Sequence, residues 1–336
     1  MKELNVAIVG ATGAVGQELL KVIDEHNFPY KSLKMLASAR SAGKVINFQG
    51  KDYVVEETTK ESFNGVDLAL FAGGPASREF GRYAQSQGVV VIDNSSTFRL
   101  EDDVPLIIPE VNGHAAKNHQ GLIANPNCST ILMVGALNPI YRKSRINRIV
   151  VSTYQAVSGA GIAGLNELRE QAQQVLNGEE IHPSAFQHQI AFNLIPHIDV
   201  WQEEDYTKEE MKLVHETHKI LEDNDIQITP TAVRVPVFRS HAESIYVETE
   251  EPITADEARE LLEAAPRVIV QDKPHENIYP MPVDTAETDD IYVGRVRNDL
   301  YKENGLNMWV CFDQIRKGAA ANAVQIAELL LENDWI

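Results

Sequence analysis

The sequence predicts a two-domain α/β protein, with a parallel sheet and crossover helices first and a mixed sheet second. Three observations carry the prediction. Short apolar runs alternate with helical patterns as far as residue 124, and beyond about Arg145 longer alternating, β-branched segments take over. The chain of 336 residues is also long for a single core.

Leu4 to Val9 is an apolar run ending at Gly10, and a helical pattern from Val15 to Ile23 follows it. Leu33 to Ala37 reads as the second strand. Val66 to Phe71 and Val89 to Ile92 are buried-strand runs separated by a helix over Ser77 to Gln87. Such alternation implies a parallel sheet with right-handed crossovers. Leu122 to Ala124 is the last strand before a helix that opens at Cys128. Arg148 to Gln155 is again strand-like, Gly161 to Leu176 is helical, and Ile181 to Asp199, with Pro183 and Pro196, is irregular. Thr207 to Glu222 is a polar amphipathic helix. Thr231 to Thr249, Ile291 to Arg297 and Leu306 to Phe312 alternate as longer antiparallel strands do, with one broad sheet face expected as an oligomer surface. An Ala- and Leu-rich helix over Gly318 to Leu331 closes the chain.

The hydrophobic fraction of 43% and charged fraction of 24% are those of an ordinary globular protein. A formal net charge of -19 argues against a nucleic-acid groove or an anionic membrane surface as partner. Any anionic substrate must then be met by locally placed Arg and Lys. Two cysteines form no disulfide framework and are too few for a zinc site. With no signal peptide and no bilayer-spanning apolar run, a reducing cytoplasm is the expected compartment.

Gly10-Ala11-Thr12-Gly13-Ala14-Val15-Gly16 follows a strand and opens a helix, the context a dinucleotide fingerprint requires. Glycine lets the backbone turn tightly and approach a pyrophosphate, whose charge faces the helix N-terminus. The spacing is G-x-x-G-x-x-G rather than G-x-G-x-x-G, and a plain Gly-rich turn is the alternative. An NAD enzyme usually carries an acid at the end of the second strand for the ribose 2′-OH. Here Leu36 to Lys44 contains none and offers Arg40, whose guanidinium suits a 2′-phosphate. NADP is therefore expected over NAD. Ala72-Gly73-Gly74-Pro75 is a second place where backbone can lie against a dinucleotide.

Cys128 stands in Asn125-Pro126-Asn127-Cys128-Ser129-Thr130, directly before a long apolar segment. Pro126 favours an extended Asn125, and Asn127 suits a helix N-cap. A thiol at a helix N-terminus gains from the dipole and unpaired N–H groups, which enrich the nucleophilic thiolate. A small buried core residue is the competing reading. A thiolate works with a base, usually His, but with ten His spacing alone selects none. His241 ends an apolar strand beside Arg residues, His215 and His218 lie on a charged helix, and His197 reads as packed and hydrogen-bonded. Cys311, among Trp309, Val310 and Phe312, reads as core. Arg99, Lys212, Arg234 and Arg239 are candidate anion binders.

These segments, taken in order, resemble the aspartate-semialdehyde dehydrogenase family over nearly the whole chain. The resemblance rests on Val9 to Gly16, Asp93-Asn94-Ser95-Ser96-Thr97-Phe98-Arg99, Pro109-Glu110-Val111-Asn112 and Asn125 to Thr130. It continues through Gln155 to Gly161, Phe192 to Asp199, Glu209 to Lys212, Arg234 to His241 and Arg316 to Ala320. Pro236 and the short central region look more like the Gram-positive-type branch than the enterobacterial one.

The resemblance implies Cys128 as acyl-thioester nucleophile, His241 as acid/base and Gln155 as an orienting group. It implies Arg234 for the substrate carboxylate, Glu209 for the amino end, and Arg99 and Lys212, with Asn127 nearby, for phosphate. Gly10, Thr12, Gly13, Ala14, Val15, Arg40, Ser41, Gly73, Ser158, Gly159 and Gln314 would line the NADP site, and no metal is implied. Gln314 stands where the family pattern more often has Asn, a longer side chain with the same amide. The implied fold is a Rossmann-like NADP-binding domain, 1–127 plus 318–336, with an α/β, mixed-sheet catalytic and dimerisation domain, 128–317. The implied reaction is reductive dephosphorylation of 4-phospho-L-aspartate to L-aspartate 4-semialdehyde, which feeds lysine, threonine and methionine biosynthesis, by a cytoplasmic homodimer. N-acetyl-glutamyl-phosphate reductase shares the thioester logic but usually has Gly where Asn127 stands. Glyceraldehyde-3-phosphate dehydrogenase has a different Cys segment and an acid after strand two. A non-catalytic NADP-binding sensor is the rival of another class, and intact Cys128, Gln155, Arg234 and His241 argue against it.

Overall fold

The computed structural model describes residues 2–336, and the chain forms two compact units, one up to Asn127 together with Gly318–Ile336, the other Cys128–Lys317.

The first unit contains β1 (Leu4–Val9), α1 (Ala14–Glu25), β2 (Tyr30–Ala37), β3 (Val45–Phe48), β4 (Lys51–Val54), β5 (Glu56–Glu57), β6 (Leu68–Phe71), α2 (Gly74–Ser86), β7 (Val90–Asp93), α3 (Pro109–Asn112) and β8 (Leu122–Ala124). Its main sheet runs β5-β2-β1-β6-β7-β8, and every pairing in it is parallel. β6 is buried at all four positions, the signature of a strand covered on both faces. The hairpin of β3 and β4 has no counterpart in the sequence reading. Its turn, Gln49-Gly50, has φ of 51° and 73°, the left-handed pair that matches strand twist, but Gln hides the usual Asn-Gly signature.

The second unit contains α4 (Cys128–Lys143), β9 (Ile146–Gln155), α5 (Gly161–Asn177), α6 (Lys208–Leu221), β10 (Gln227–Arg234), β11 (His241–Thr249), α7 (Ala255–Glu263), β12 (Val268–Val270), α8 (Pro282–Thr285), β13 (Ile291–Asn298) and β14 (Gly305–Phe312). The chain then returns to the first unit as α9 (Ala321–Glu332), whose Ala323, Val324, Ala327 and Leu330 share the core of β1 and α1. The second sheet runs β10-β9-β11-β14-β13-β12 and is mixed. β10 pairs parallel with β9, β12 parallel with β13, and the middle pairs are antiparallel.

Two expectations need correction here. Thr231 to Thr249 is not one antiparallel strand: β10 ends at Arg234, and β11 starts at His241 after a break containing Pro236. β10 also holds Pro230 and lies at the sheet edge, where the lost donor costs no ladder bond. The sequence reading places no element over 254–263, yet Thr254 and Glu257 form a capping box that opens α7.

Helix α4 is buried around most of its circumference, at Ile131, Leu132, Met133, Val134, Ala136, Leu137 and Ile140. Such a helix belongs inside a core, and α4 lies against β9, β11, β13, β14, α6 and α7. On β11, His241, Glu243, Ile245 and Val247 are buried, while Ser244 is exposed and Tyr246 partly so. The exposed side of the sheet also carries half-buried Val150, Ser152, Tyr154, Asn307 and Trp309.

Candidate active site

In the second unit the chemistry-bearing side chains gather at the ends of α4, β9, β10 and β11. α4 begins at Cys128, which is half-buried. No acidic residue sits in its first turn to compete with a thiolate for the helix dipole. β9 ends at Gln155 and β10 at Arg234, directly paired in parallel register, and β11 starts at His241.

Gln155 is buried, accepts a bond from Thr153 Oγ1 (3.0 Å) and donates Nε2 to Glu209 Oε1 (3.0 Å). Glu209 is reached because Thr207 caps α6 and Glu210 returns the bond to the Thr207 N–H (2.6 Å), while Glu210 also takes the Ala232 N–H of β10 (2.9 Å). Lys212 Nζ lies 2.9 Å from both Glu209 Oε2 and Asp199 Oδ2. Burial alone would pull the Lys212 ammonium down, but Glu209 and Asp199 outweigh it and hold its proton above the ordinary value. Asp199 is therefore a site partner that sequence reading passed over inside an irregular segment.

Arg234 is buried, donates Nη1 to the Ala156 carbonyl (2.7 Å) and lies over the Phe186 ring. Burial lowers the guanidinium from its ordinary value, and the charges of Glu209 and Cys128 oppose that pull. His241 is fully buried, and its Nδ1 accepts the Ala156 N–H at 3.0 Å. A ring nitrogen that accepts carries no proton, so the neutral ring holds its proton on Nε2. Burial first, then the Arg234 charge, push His241 down to about 3, and the ring is neutral at ordinary pH. Nε2 has no partner among the described residues.

Gly159 lies over this pair. A Cβ placed there would be 2.8 Å from Arg234 Nη1 and 3.4 Å from His241 Cε1. Ser158 receives the Gln314 Nε2 amide, and Gln314 Oε1 accepts the Ser240 N–H at 2.9 Å. Gln314 is thus bonded at both ends of its amide within the protein.

The first unit carries the other candidates. Gly10 has φ +90°, and the N–H groups of Gly10 and Ala11 bond the Leu36 carbonyl at 2.8 and 3.0 Å. Thr12, Gly13, Ala14 and Val15 are all at least partly accessible, and no side chain caps α1. The third glycine, Gly16, is required by packing: a Cβ there would meet the Gly10 carbonyl at 2.2 Å. Arg40 is exposed on the turn after β2 and Ser41 is buried beside it. Gly73 precedes α2, and a side chain there would meet nothing within 4 Å. This open, glycine-edged cradle beside an accessible Arg fits a phosphorylated dinucleotide.

Arg99 is buried, donating Nε to the Asn125 carbonyl and Nη2 to the Asn94 carbonyl, both 2.9 Å. Asn125 in turn takes Asn322 Nδ2 (2.6 Å), so the loop leading to Asn127 is clamped.

Two sequence readings change. Arg239 is not an anion binder in this structure, since it pairs with Asp313 (2.5 Å) and Glu287 (3.5 Å). His197 stacks on Trp201 (4.5 Å), but its buried Nε2 has no hydrogen-bond partner among the described residues. His218 bonds the Ile226 carbonyl (2.9 Å), and no group of three or more ligating side chains suited to a metal occurs among the described residues. Cys311 is buried, and burial raises its thiol well above the ordinary range.

Comparison with known proteins gives two family matches, "Semialdehyde dehydrogenase, NAD binding domain" over residues 5–119 and "Semialdehyde dehydrogenase, dimerisation domain" over 137–317. The chain is 55% identical to an aspartate-semialdehyde dehydrogenase of Aquifex aeolicus, covering 98% of this chain and 99% of that one. It is 48% identical to the Bacillus subtilis enzyme of the same name, covering 97% of each. Among solved structures it is similar to aspartate semialdehyde dehydrogenase II from Vibrio cholerae complexed with ASA, at 48% identity, 99% coverage of both chains and a TM-score of 0.96.

Proposed function

The chain belongs to the aspartate-semialdehyde dehydrogenase family, and from that premise we propose that it makes L-aspartate 4-semialdehyde from 4-phospho-L-aspartate with NADPH, through a thioester on Cys128. The observation that carries the reading is the buried set Gln155, Glu209, Arg234 and His241 in the unit that opens with Cys128. A thiol, a carboxylate, a guanidinium and a neutral imidazole are the groups this substrate requires.

The Cys128 thiolate attacks the acyl carbon, a C–S bond forms, and the C–O bond to phosphate breaks. Arg99 and Lys212, with Asn127, are the proposed phosphate contacts, Arg234 holds the substrate carboxylate, and Glu209 takes the amino group. Gln155, tied to Glu209 at 3.0 Å, orients the acyl carbon. When bound, the nicotinamide supplies the hydride that reduces the thioester. The resulting oxyanion needs a donor in a site shielded from water, and His241 Nε2–H is one. Collapse re-forms the carbonyl and expels the thiolate, so each step in this direction balances without a proton leaving His241. His241, the acid/base that the family resemblance implies, serves this oxyanion as its hydrogen-bond donor.

The glycine-edged cradle of Gly10, Thr12, Gly13, Ala14, Val15 and Gly73 would hold the pyrophosphate, and Arg40 with Ser41 the 2′-phosphate. Ser158, Gly159 and Gln314 are the proposed neighbours of the nicotinamide. A cytoplasmic homodimer completes the reading, supported by the match of 137–317 to a dimerisation domain. No helix among the described residues is long and apolar enough to cross a membrane.

Phosphate-dependent NADP reduction with aspartate semialdehyde, run beside Cys128→Ala, tests the reaction. Activity in the parent and none in the variant is expected. A variant as active as its parent would show that Cys128 is not the nucleophile.

A further inference from the structure

Ser240 immediately precedes His241 and has φ +78°, a left-handed conformation that a non-glycine residue adopts only at a cost. It is also fully buried. Such strain persists only where the surroundings over-determine it, and here three bonds do so. The Ser240 N–H donates to Gln314 Oε1 (2.9 Å), its hydroxyl donates to the Phe312 carbonyl (2.8 Å), and the same hydroxyl lies 2.5 Å from Thr285 Oγ1. Phe312 is the register partner of His241 across β11 and β14, so the bond to its carbonyl fixes the strand at the histidine itself. On the other side, the Ala156 N–H holds the ring (3.0 Å).

We propose that Ser240 is the positioning residue for His241: its left-handed backbone, locked by Gln314, Phe312 and Thr285, starts β11 at the one point that places Nδ1 under the Ala156 amide and leaves Nε2 open. The role rests on the reaction proposed above only for its kinetic consequence. Without the left-handed step, the chain leaving the Pro236 break enters β11 with a different direction, and the imidazole loses its acceptor geometry. Ser240 is fully buried and acts through the histidine it positions.

The test compares S240G, S240A and S240V. Glycine adopts φ near +78° freely and keeps the N–H to Gln314, whereas a β-branched residue there is a genuine outlier. The expected kcat falls no more than about threefold in S240G and about 10²-fold in S240V, with KM for the semialdehyde nearly constant in both. S240A lies between them and replaces S240V should the latter not fold. Nitrogen-15 NMR of histidine-labelled full-length protein reads the ring directly: Nε2-protonated and non-titrating in wild type and S240G, titrating in S240V or S240A. A valine or alanine variant with wild-type kcat and an unchanged ring signal would overturn the proposal, as would a glycine variant as impaired as valine. Should the wild-type protein lack activity on the semialdehyde, the reaction reading fails, and the ring spectra still decide the role of Ser240.

Discussion

Replacing Gly159 by Ala puts one methyl group into space already closed by Arg234 and His241. The added Cβ would sit 2.8 Å from Arg234 Nη1 and 3.4–3.5 Å from His241 Cε1 and Nε2, a shortfall of about 0.6 Å at the guanidinium against ordinary 3.4 Å contact. Arg234 has little freedom to retreat, because its Nη1 is bonded to the Ala156 carbonyl at 2.7 Å and Phe186 lies on its face. His241 is fully buried and held by the Ala156 N–H. The displacement therefore passes into the two groups proposed to hold the substrate carboxylate and the oxyanion. Misplacement by 1 Å costs about 10²-fold, so kcat/KM for aspartate semialdehyde should fall by about 10- to 10²-fold. Gly159 is exposed and Ala is a smaller perturbation than any core change, so the melting temperature should move little. Steady-state NADP reduction with phosphate and semialdehyde, next to a thermal melt, measures both. Retention of kcat/KM within about twofold would refute the argument that Arg234 and His241 are fixed where the reaction needs them.

Arg40→Ala should weaken NADP far more than NAD, because only NADP carries the 2′-phosphate; equal losses in the two Kd values would remove the reason for assigning Arg40 to it. Glu243, fully buried with both carboxylate oxygens unpartnered among the described residues, is pushed well above its ordinary value by burial. The folded state keeps this proton while the unfolded state loses it above its ordinary 4.5, so wild-type stability declines as pH rises through that value. Glu243→Gln has no such proton, and its advantage over the parent in denaturant titrations should widen from pH 5 to pH 8; parallel curves would contradict this. Asp223 is held down to about 2 by its bonds to Arg145 (both 2.7 Å) and by Tyr141. That stabilisation is fully present above about pH 4 and lost as pH falls through about 2. Arg145 is about a third exposed, so screening leaves roughly 1 kcal/mol, which Asp223→Asn should forfeit at pH 7 and not at pH 2.

Much of the fold is written in local patterns. β1 and the glycine loop, α1, β6, α2 and β7 follow directly from apolar periodicity and from glycine's tolerance of left-handed backbone, as at Gly10 with φ +90°. The hairpin of β3 and β4 is not legible in this way, since a left-handed Gln49 carries no sequence signature of its turn. The break between β10 and β11 is half legible. Pro236 announces it, but the parallel pairing of β10 with β9 depends on long-range register that no local window contains.

The site divides along the same line. Cys128 at a helix N-terminus and Arg40 in place of an acid are properties of neighbouring residues, and the sequence by itself determines them. That His241 is a buried neutral donor, that Lys212 balances Glu209 and Asp199, that Arg239 is consumed by Asp313, and that Ser240 is strained are decided only by the tertiary structure. Ionisation and tautomer depend on burial and on partners tens of residues away, such as the Ala156 amide 85 positions from His241. Composition and spacing name the groups able to do the chemistry. Burial and the partner at each nitrogen and oxygen determine which proton each group holds.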